Sequence, residues 1–211
     1  MTNSKILLSA LALAAASSTF AQTESAPVAS SAGLLGERYA AASFIVEDFR
    51  NAGGLDNAFG GGASTNLPLS ANLDLGFGYA YERLSDGPIK FREHALSASL
   101  TPFVNVADNV KVFADATLGY AWAKFRGAGV NGSDNDGFWS LGAGAELALG
   151  ARTALTGRVA YNDAFDNGSE GSWAFTAGVN HWFTEQVAGI ASVTFVESDS
   201  IVYQIGVAFR F

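Results

Sequence analysis

Long runs in which every second residue is apolar dominate this sequence, and they narrow what it can fold into. From Leu73 the odd positions read Leu73, Leu75, Phe77, Tyr79 and Tyr81, while the even ones read Asp74, Gly76, Gly78, Ala80 and Glu82. Val110, Val112, Ala114, Ala116, Leu118, Tyr120 and Trp122 alternate with Lys111, Phe113, Asp115, Thr117, Gly119 and Ala121. The same pattern returns from Trp139 to Leu149 and from Ile201 to Phe211. Successive side chains of a strand point to opposite faces, so period two predicts strands with one greasy face and one face of small or polar groups. Stretches with a helical period are hard to find.

Which face meets the core decides the fold class. Soluble sandwiches use strands of about 5–6 residues and wet their polar face. Several runs here reach the roughly 9–11 residues that a tilted strand needs to cross a bilayer. The chain has 211 residues, of which 49% are hydrophobic and only 15% charged, about half the charge density expected of a soluble surface. Gly, Ala, Ser and Thr crowd the second face, which suits the inside of a narrow barrel. The expected fold is therefore all-β, a closed antiparallel transmembrane β-barrel with grease toward lipid and small groups toward the lumen.

Aromatic placement agrees. Of four Trp and six Tyr, seven lie on the greasy face at one kind of strand end: Tyr79, Tyr81, Tyr120, Trp122, Trp139, Tyr161 and Trp173. Rings with a polar tip suit the boundary between hydrocarbon and headgroups, so these form an expected interfacial girdle. Trp182, Phe183, Phe209 and Phe211 are placed at the opposite ends as a sparser second belt. The opposite face carries the candidate lumen charges Asp74, Glu82, Lys111, Asp115, Glu146, Arg158 and Arg210, which cannot face lipid cheaply.

Ten strands are expected, at 37–49, 56–68, 71–83, 92–104, 110–126, 137–149, 151–163, 171–183, 187–197 and 200–211. Short turns alternate with longer connections at 50–55, 84–91, 127–136 and 164–170. An even number puts both chain ends on the periplasmic side. The first hairpin is weakest, because 37–49 alternates poorly and Gly60, Gly61 and Gly62 weaken a strand; without it an eight-stranded barrel of 65–211 remains. Before the barrel, Lys5, an apolar run from Ile6 to Ala16 and a small-residue site ending at Ala21 predict a cleaved signal peptide over 1–21. Residues 22–36 read as a periplasmic leader, and 37–211 as the barrel.

The last residues carry a resemblance. Gln204, Gly206, Phe209 and the terminal Phe211 match the constrained positions of the carboxyl-terminal signal of Gram-negative outer-membrane β-barrels, and the chain is similar in length and layout to porin-like and OmpA-like barrels. The resemblance implies integral residence in the cell outer membrane and recognition of this strand by the barrel-assembly machinery. Outer-membrane lipid and lipopolysaccharide, and small ions or solutes, are the other expected partners. A net charge of −8 with no basic stripe argues against nucleic acid.

Enzymatic chemistry is not expected. Omptin-like proteases resemble this strand count but use an Asp-x-His, whereas His94 follows Arg92-Glu93 and His181 follows Val179-Asn180. Deacylase-like barrels use a His-x-Ser, yet His94 is followed by Ala95-Leu96-Ser97. Asp134-Asn135-Asp136-Gly137 resembles the middle of a calcium loop, but Gly132 and Ala143 stand at its outer ligand positions. Without cysteine no thiolate site exists. No cofactor, metal or catalytic residue is expected. The functional expectation is a structural or surface-interaction role in the cell envelope, with a narrow, weakly cation-selective porin-like channel as the alternative and an outer-membrane hydrolase as a remote one.

Overall fold

The computed structural model describes residues 32–49, 57–86, 89–127, 130–166, 170–197 and 200–211. The expected signal peptide and the first ten residues of the expected leader lie outside them. Ten strands follow in chain order: β1 (Tyr39–Phe49), β2 (Ala58–Ser70), β3 (Leu73–Asp86), β4 (Ile89–Ala107), β5 (Val110–Gly127), β6 (Val130–Ala148), β7 (Thr153–Ala164), β8 (Ser172–Trp182), β9 (Val187–Val196) and β10 (Ser200–Arg210). Each pairs antiparallel with its sequence neighbours, and β1 also pairs with β10, from Tyr39↔Arg210 to Phe49↔Ser200. The sheet closes on itself, leaving no edge strand to pair with another chain. No helix occurs among the described residues.

The weak first hairpin forms despite its glycines. Phe44 lies opposite Gly61 and Ile45 opposite Gly60, so larger residues of β1 cover the strand that lacks side chains. Cross-strand packing outweighs the low intrinsic preference. Two expected loops turn out to be strand. β3 and β4 pair as far as Asp86↔Ile89, and β5 and β6 as far as Gly127↔Val130. The connections expected over 84–91 and 127–136 therefore shrink to residues 87–88 and 128–129. Polar and Gly residues there read as loop, but Leu84 and Phe91 pack inward with Ala58 and Ala123 while the backbone ladder continues.

Alternation along each strand divides the two surfaces. Phe77, Leu96, Leu118, Leu141, Phe175, Ile205 and Phe209 are exposed on the outside. Inward positions are closed off from solvent at several heights, with Phe138 and Ala121 toward one mouth, Ser140 and Arg158 midway, and Tyr39 and Trp182 toward the other. We refer to the end holding both Tyr39 and Arg210, with the tight connections 71–72 and 108–109, as the turn end, and to the opposite one as the loop end. Trp182 departs from the second belt expected of it: its register places it inside the turn end, 3% exposed, with the Arg210 guanidinium 3.8 Å from its ring centroid. Phe183, Phe209 and Phe211 remain exposed.

Candidate functional site

The lumen is where this fold gathers its polar groups. Midway along it, Arg158 on β7 reaches across β6 to Asp115 on β5. Its Nε donates to Asp115 Oδ2 at 2.8 Å, a second nitrogen donates to Oδ1, and that nitrogen also donates to Ser140 Oγ at 3.2 Å. A bidentate pair of this kind holds both charges in fixed geometry. Gly142 lies between the partners; a Cβ there would stand 2.6 Å from the Asp115 carboxylate and 2.8 Å from Arg158 Nε. Both charged groups are almost fully enclosed.

Toward the turn end, Lys111 and Glu146 face each other across β5 and β6, with Nζ 3.9 Å from Oε1. What Glu146 mainly holds is the chain itself. The segment from Ala32 to Gly36 does not leave the barrel; it sits inside the mouth. Glu146 Oε2 accepts hydrogen bonds from the backbone N–H groups of Leu34 at 2.9 Å and Leu35 at 3.2 Å. Lys111 Nζ donates to the Leu35 carbonyl, Asn180 Nδ2 to the Ala32 carbonyl at 2.6 Å, and Asn66 Nδ2 to the Glu37 carbonyl at 3.0 Å. Leu34 packs among Tyr39, Trp182, Ala188, Ile190 and Ala208, and Leu35 against Phe103 and Phe113. Arg210 closes the edge with Nε 2.8 Å from Glu37 Oε2.

Local sequence allows this insertion. Gly36 takes φ 111°, a conformation open to glycine at little cost, and turns the chain from the lumen into β1. At Gly33 any side chain would collide with the Glu146 carboxylate. The expected leader thus ends as a plug: Ala32, Leu34 and Leu35 are all buried, at 3%, 2% and 4% exposure. Sequence reasoning had no periodic pattern to read in so short a stretch. The available signal was the Leu34-Leu35 pair amid small and polar residues.

Toward the loop end the lumen is acidic. Glu82 on β3 stands opposite Glu93 on β4, and Glu47 on β1 joins them at the same level, accepting a hydrogen bond from Ser200 Oγ at 2.6 Å. All three are at most 3% exposed. Neither carboxylate oxygen of Glu93 has a hydrogen-bond partner among the described residues. Glu47 and Glu93 were not among the expected lumen charges, because the alternation of β1 is poor and Glu93 stands between Arg92 and His94, which give no greasy face to set the register. Asp74 also faces inward and is fully buried near the turn end.

Outside, the expected girdle residues form two groups of contacting rings, one on β3–β5 and one on β6–β8. Tyr81, His94 and Trp122 are register neighbours on β3, β4 and β5. The His94 ring lies 4.9 Å from that of Tyr81 and stacks at 5.4 Å and 7° on Trp122. The Tyr79 hydroxyl is 2.8 Å from His94 Nδ1. Tyr120 adjoins Trp122 and hydrogen-bonds Asn135, while Trp139, Tyr161 and Trp173 contact one another in turn. His94 is thereby tied into an outward aromatic stack rather than a catalytic cluster. His181, also outward, pairs its Nδ1 with Thr153 Oγ1 at 2.8 Å near the turn end. Asp134 and Asp136 lie on β6, not in a loop, and among the described residues no group of His, Asp and Glu converges as metal ligands.

At the end of the chain, Gln204 points inward and donates to Ser43 Oγ at 2.8 Å. Gly206 allows β1 to approach, since a Cβ there would lie 2.3 Å from the Ala42 carbonyl oxygen. Phe209 and Phe211 face outward.

No protein-family model matches the chain, and no curated protein matches it in sequence. Among solved structures the likeness is to barrels. The fold is similar to that of the translocator domain of autotransporter NalP from Neisseria meningitidis. That alignment covers 100% of this chain and 96% of the other, at 12% identity and a TM-score of 0.55. Ail, the attachment invasion locus protein of Yersinia pestis, aligns with 83% of this chain over 99% of its own, at 14% identity and a TM-score of 0.46. Neisserial surface protein A aligns with 82% of this chain over 97% of its own, at 16% identity and a TM-score of 0.48.

Proposed function

We propose that this protein is an integral outer-membrane β-barrel with a structural or surface-interaction role in the cell envelope, and that its lumen is shut at rest by its own amino-terminal segment. The observation that carries the reading is the seating of Ala32–Gly36 inside the turn end, where two backbone N–H groups converge on one buried carboxylate. Membrane residence is supported by the apolar outer face and by the aromatic band that borders it, which suit hydrocarbon and its interface. The turn end then faces the periplasm, and the chain arrives there by export with a cleaved signal peptide. The Asp115–Arg158 pair spans β5 to β7 on one wall at mid-height, so these interior charges fix that wall and leave closure of the lumen to the plug. The long hairpins β3–β4 and β5–β6 would project outward as the surface offered to partners.

Planar-bilayer recording tests this directly. The refolded chain beginning at residue 22 should give no sustained conductance, whereas a version beginning at Glu37 should open stable or flickering channels. Sustained conductance of the intact protein equal to that of the shortened one would overturn the sealed-lumen reading. A narrow cation-selective channel is the second reading, favoured by Glu47, Glu82 and Glu93 gathered inside the loop end; it demands conductance from the intact protein.

A further inference from the structure

The outer wall carries a charge arrangement that the sealed lumen does not use. Five of the chain's 12 Lys and Arg fall on one outward patch of β3, β4 and β5: Arg83, Lys90, Arg92, Lys124 and Arg126, all exposed. Register places Arg83 opposite Arg92 and Arg92 opposite Lys124, in one row. Lys90 stands opposite Arg126 in the next row toward the loop end. Neighbouring strands are about 4.8 Å apart, and like charges directly opposite one another destabilise a sheet. Among the described residues none of the five forms an ion pair.

No carboxylate of this wall is placed to relieve them. Outward positions on β6 beside the patch are Asn131, Ser133 and Asn135, and Phe59 of β2 flanks Arg83. The described carboxylates of β3 to β6, such as Glu82, Glu93 and Asp134, all occupy inward register positions. In a chain of net charge −8, five outward cations with no described outward carboxylate on β3 to β6 call for an anion from outside.

The patch begins one pleat beyond the girdle: Arg83 follows Tyr81, Arg92 precedes His94, and Lys124 follows Trp122. Two residues of strand span about 6.6 Å, and the polar layer of each leaflet is roughly 5–8 Å deep. Long basic side chains also bend toward the interface along their apolar stems. We propose that this patch binds the phosphorylated headgroup of a lipid in the leaflet at the loop end, its acyl chains lying on the outer face of β3–β5 and its phosphates between Arg83, Arg92 and Lys124. Paired guanidiniums suit phosphate oxygens because each offers two donors in a planar fork. The inference rests on the barrel being membrane-embedded with its loop end in a leaflet that holds such lipids.

The test measures lipid retained by the purified, refolded barrel in detergent, using bis-phosphorylated lipid A, the same lipid with both phosphates removed, and inorganic phosphate as competitor. The intact protein should retain the phosphorylated lipid at least tenfold more tightly than the dephosphorylated one, and the preference should fade as salt rises. The variant R83Q/R92Q/K124Q should lose that preference, while R152Q at the turn end should keep it. Heat-modifiable gel migration of each variant reports barrel formation separately, so a folded barrel without lipid preference is distinguishable from a failed barrel. A conservative R83K/R92K/K124K variant should retain part of the preference. Equal retention of both lipids, full retention by the glutamine variant, or complete displacement by inorganic phosphate at equal concentration would overturn the proposal.

Discussion

At the scale of single residues, the interior pair Asp115–Arg158 makes a sharp energetic statement. Both groups are enclosed, so removing one leaves the other charged without a partner. Arg158→Met should lower stability by about 3–5 kcal/mol, whereas the double change Asp115→Leu with Arg158→Met should recover most of it, because a buried pair and a well-packed apolar replacement are often nearly equivalent. Denaturant midpoints of the refolded protein in detergent would show this; additive losses would mean that the two side chains do not act as a pair. Glu146 is a second case. Glu146→Ala abandons the N–H groups of Leu34 and Leu35 and removes the acceptor facing Lys111, a loss of about 2–3 kcal/mol in seating the plug. Proteolysis should then cut within residues 32–38 in the variant and spare them in the parent. Leu34→Ala should act in the same direction, by about 2–5 kcal/mol for a buried leucine.

Among elements, β10 has two tasks. It closes the barrel against β1, and its last residues match the expected assembly signal. Among the described residues Phe211 gives a backbone N–H to the Arg38 carbonyl at 3.3 Å, and the residue is 60% exposed, so its side chain adds little to the folded barrel. Deleting it, or changing it to Ser, should therefore cut outer-membrane levels sharply in cells while leaving refolding in detergent almost unchanged. Normal membrane levels of that variant would remove the case for a signal. The strands themselves were legible wherever alternation ran clear of Gly and polar clusters, as in β5 and β10. The loop ends of β3 and β4 read as loop because the apolar side changes face there, with Leu84 and Phe91 packed inside and Arg83, Lys90 and Arg92 outside. The inward Trp182 was misread for another reason: at a strand end, an aromatic reads as belt unless its register is counted from the middle of β8.

For the molecule as a whole, charge is divided by face and by end. Carboxylates line the loop-side lumen and, with Asp163, Asp166, Glu170 and Glu197, its rim; Asp199 lies outside the described residues. Five cations sit on the outer wall of β3–β5, while Lys111, Arg158 and Arg210 lie inside. Opening the lumen by starting the chain at Glu37 should therefore give a channel with modest cation preference that weakens as salt rises, since the screening length falls from ~30 Å at 0.01 M to ~10 Å at 0.1 M. Neutralising Asp163, Asp166 and Glu170 together should reduce that preference, as reversal potentials under a salt gradient would show. Anion preference, or no response to the triple change, would mean that the rim does not steer ions. The intact protein should also run as a compact, heat-modifiable species in detergent, and a soluble monomer without detergent would rule out a membrane barrel.

The sequence by itself determined the all-β barrel class, because a period of two is carried locally by each strand, while it left ten strands standing against eight and passed over Glu47 and Glu93. Lys111, Asp115, Glu146 and Arg158 could each be assigned to the lumen in this way. What only the tertiary structure decided is which inward groups meet. Arg158 reaches Asp115 because β6 offers glycine between them, and Glu82 meets Glu93 because the β3–β4 ladder runs to its tip. The insertion of Ala32–Gly36 into the turn end is likewise a long-range event, joining residues more than a hundred positions apart. Its contacts are single hydrogen bonds and two leucines in separate pockets, with no repeat in the chain to announce them, and the site they fill exists only in the closed barrel.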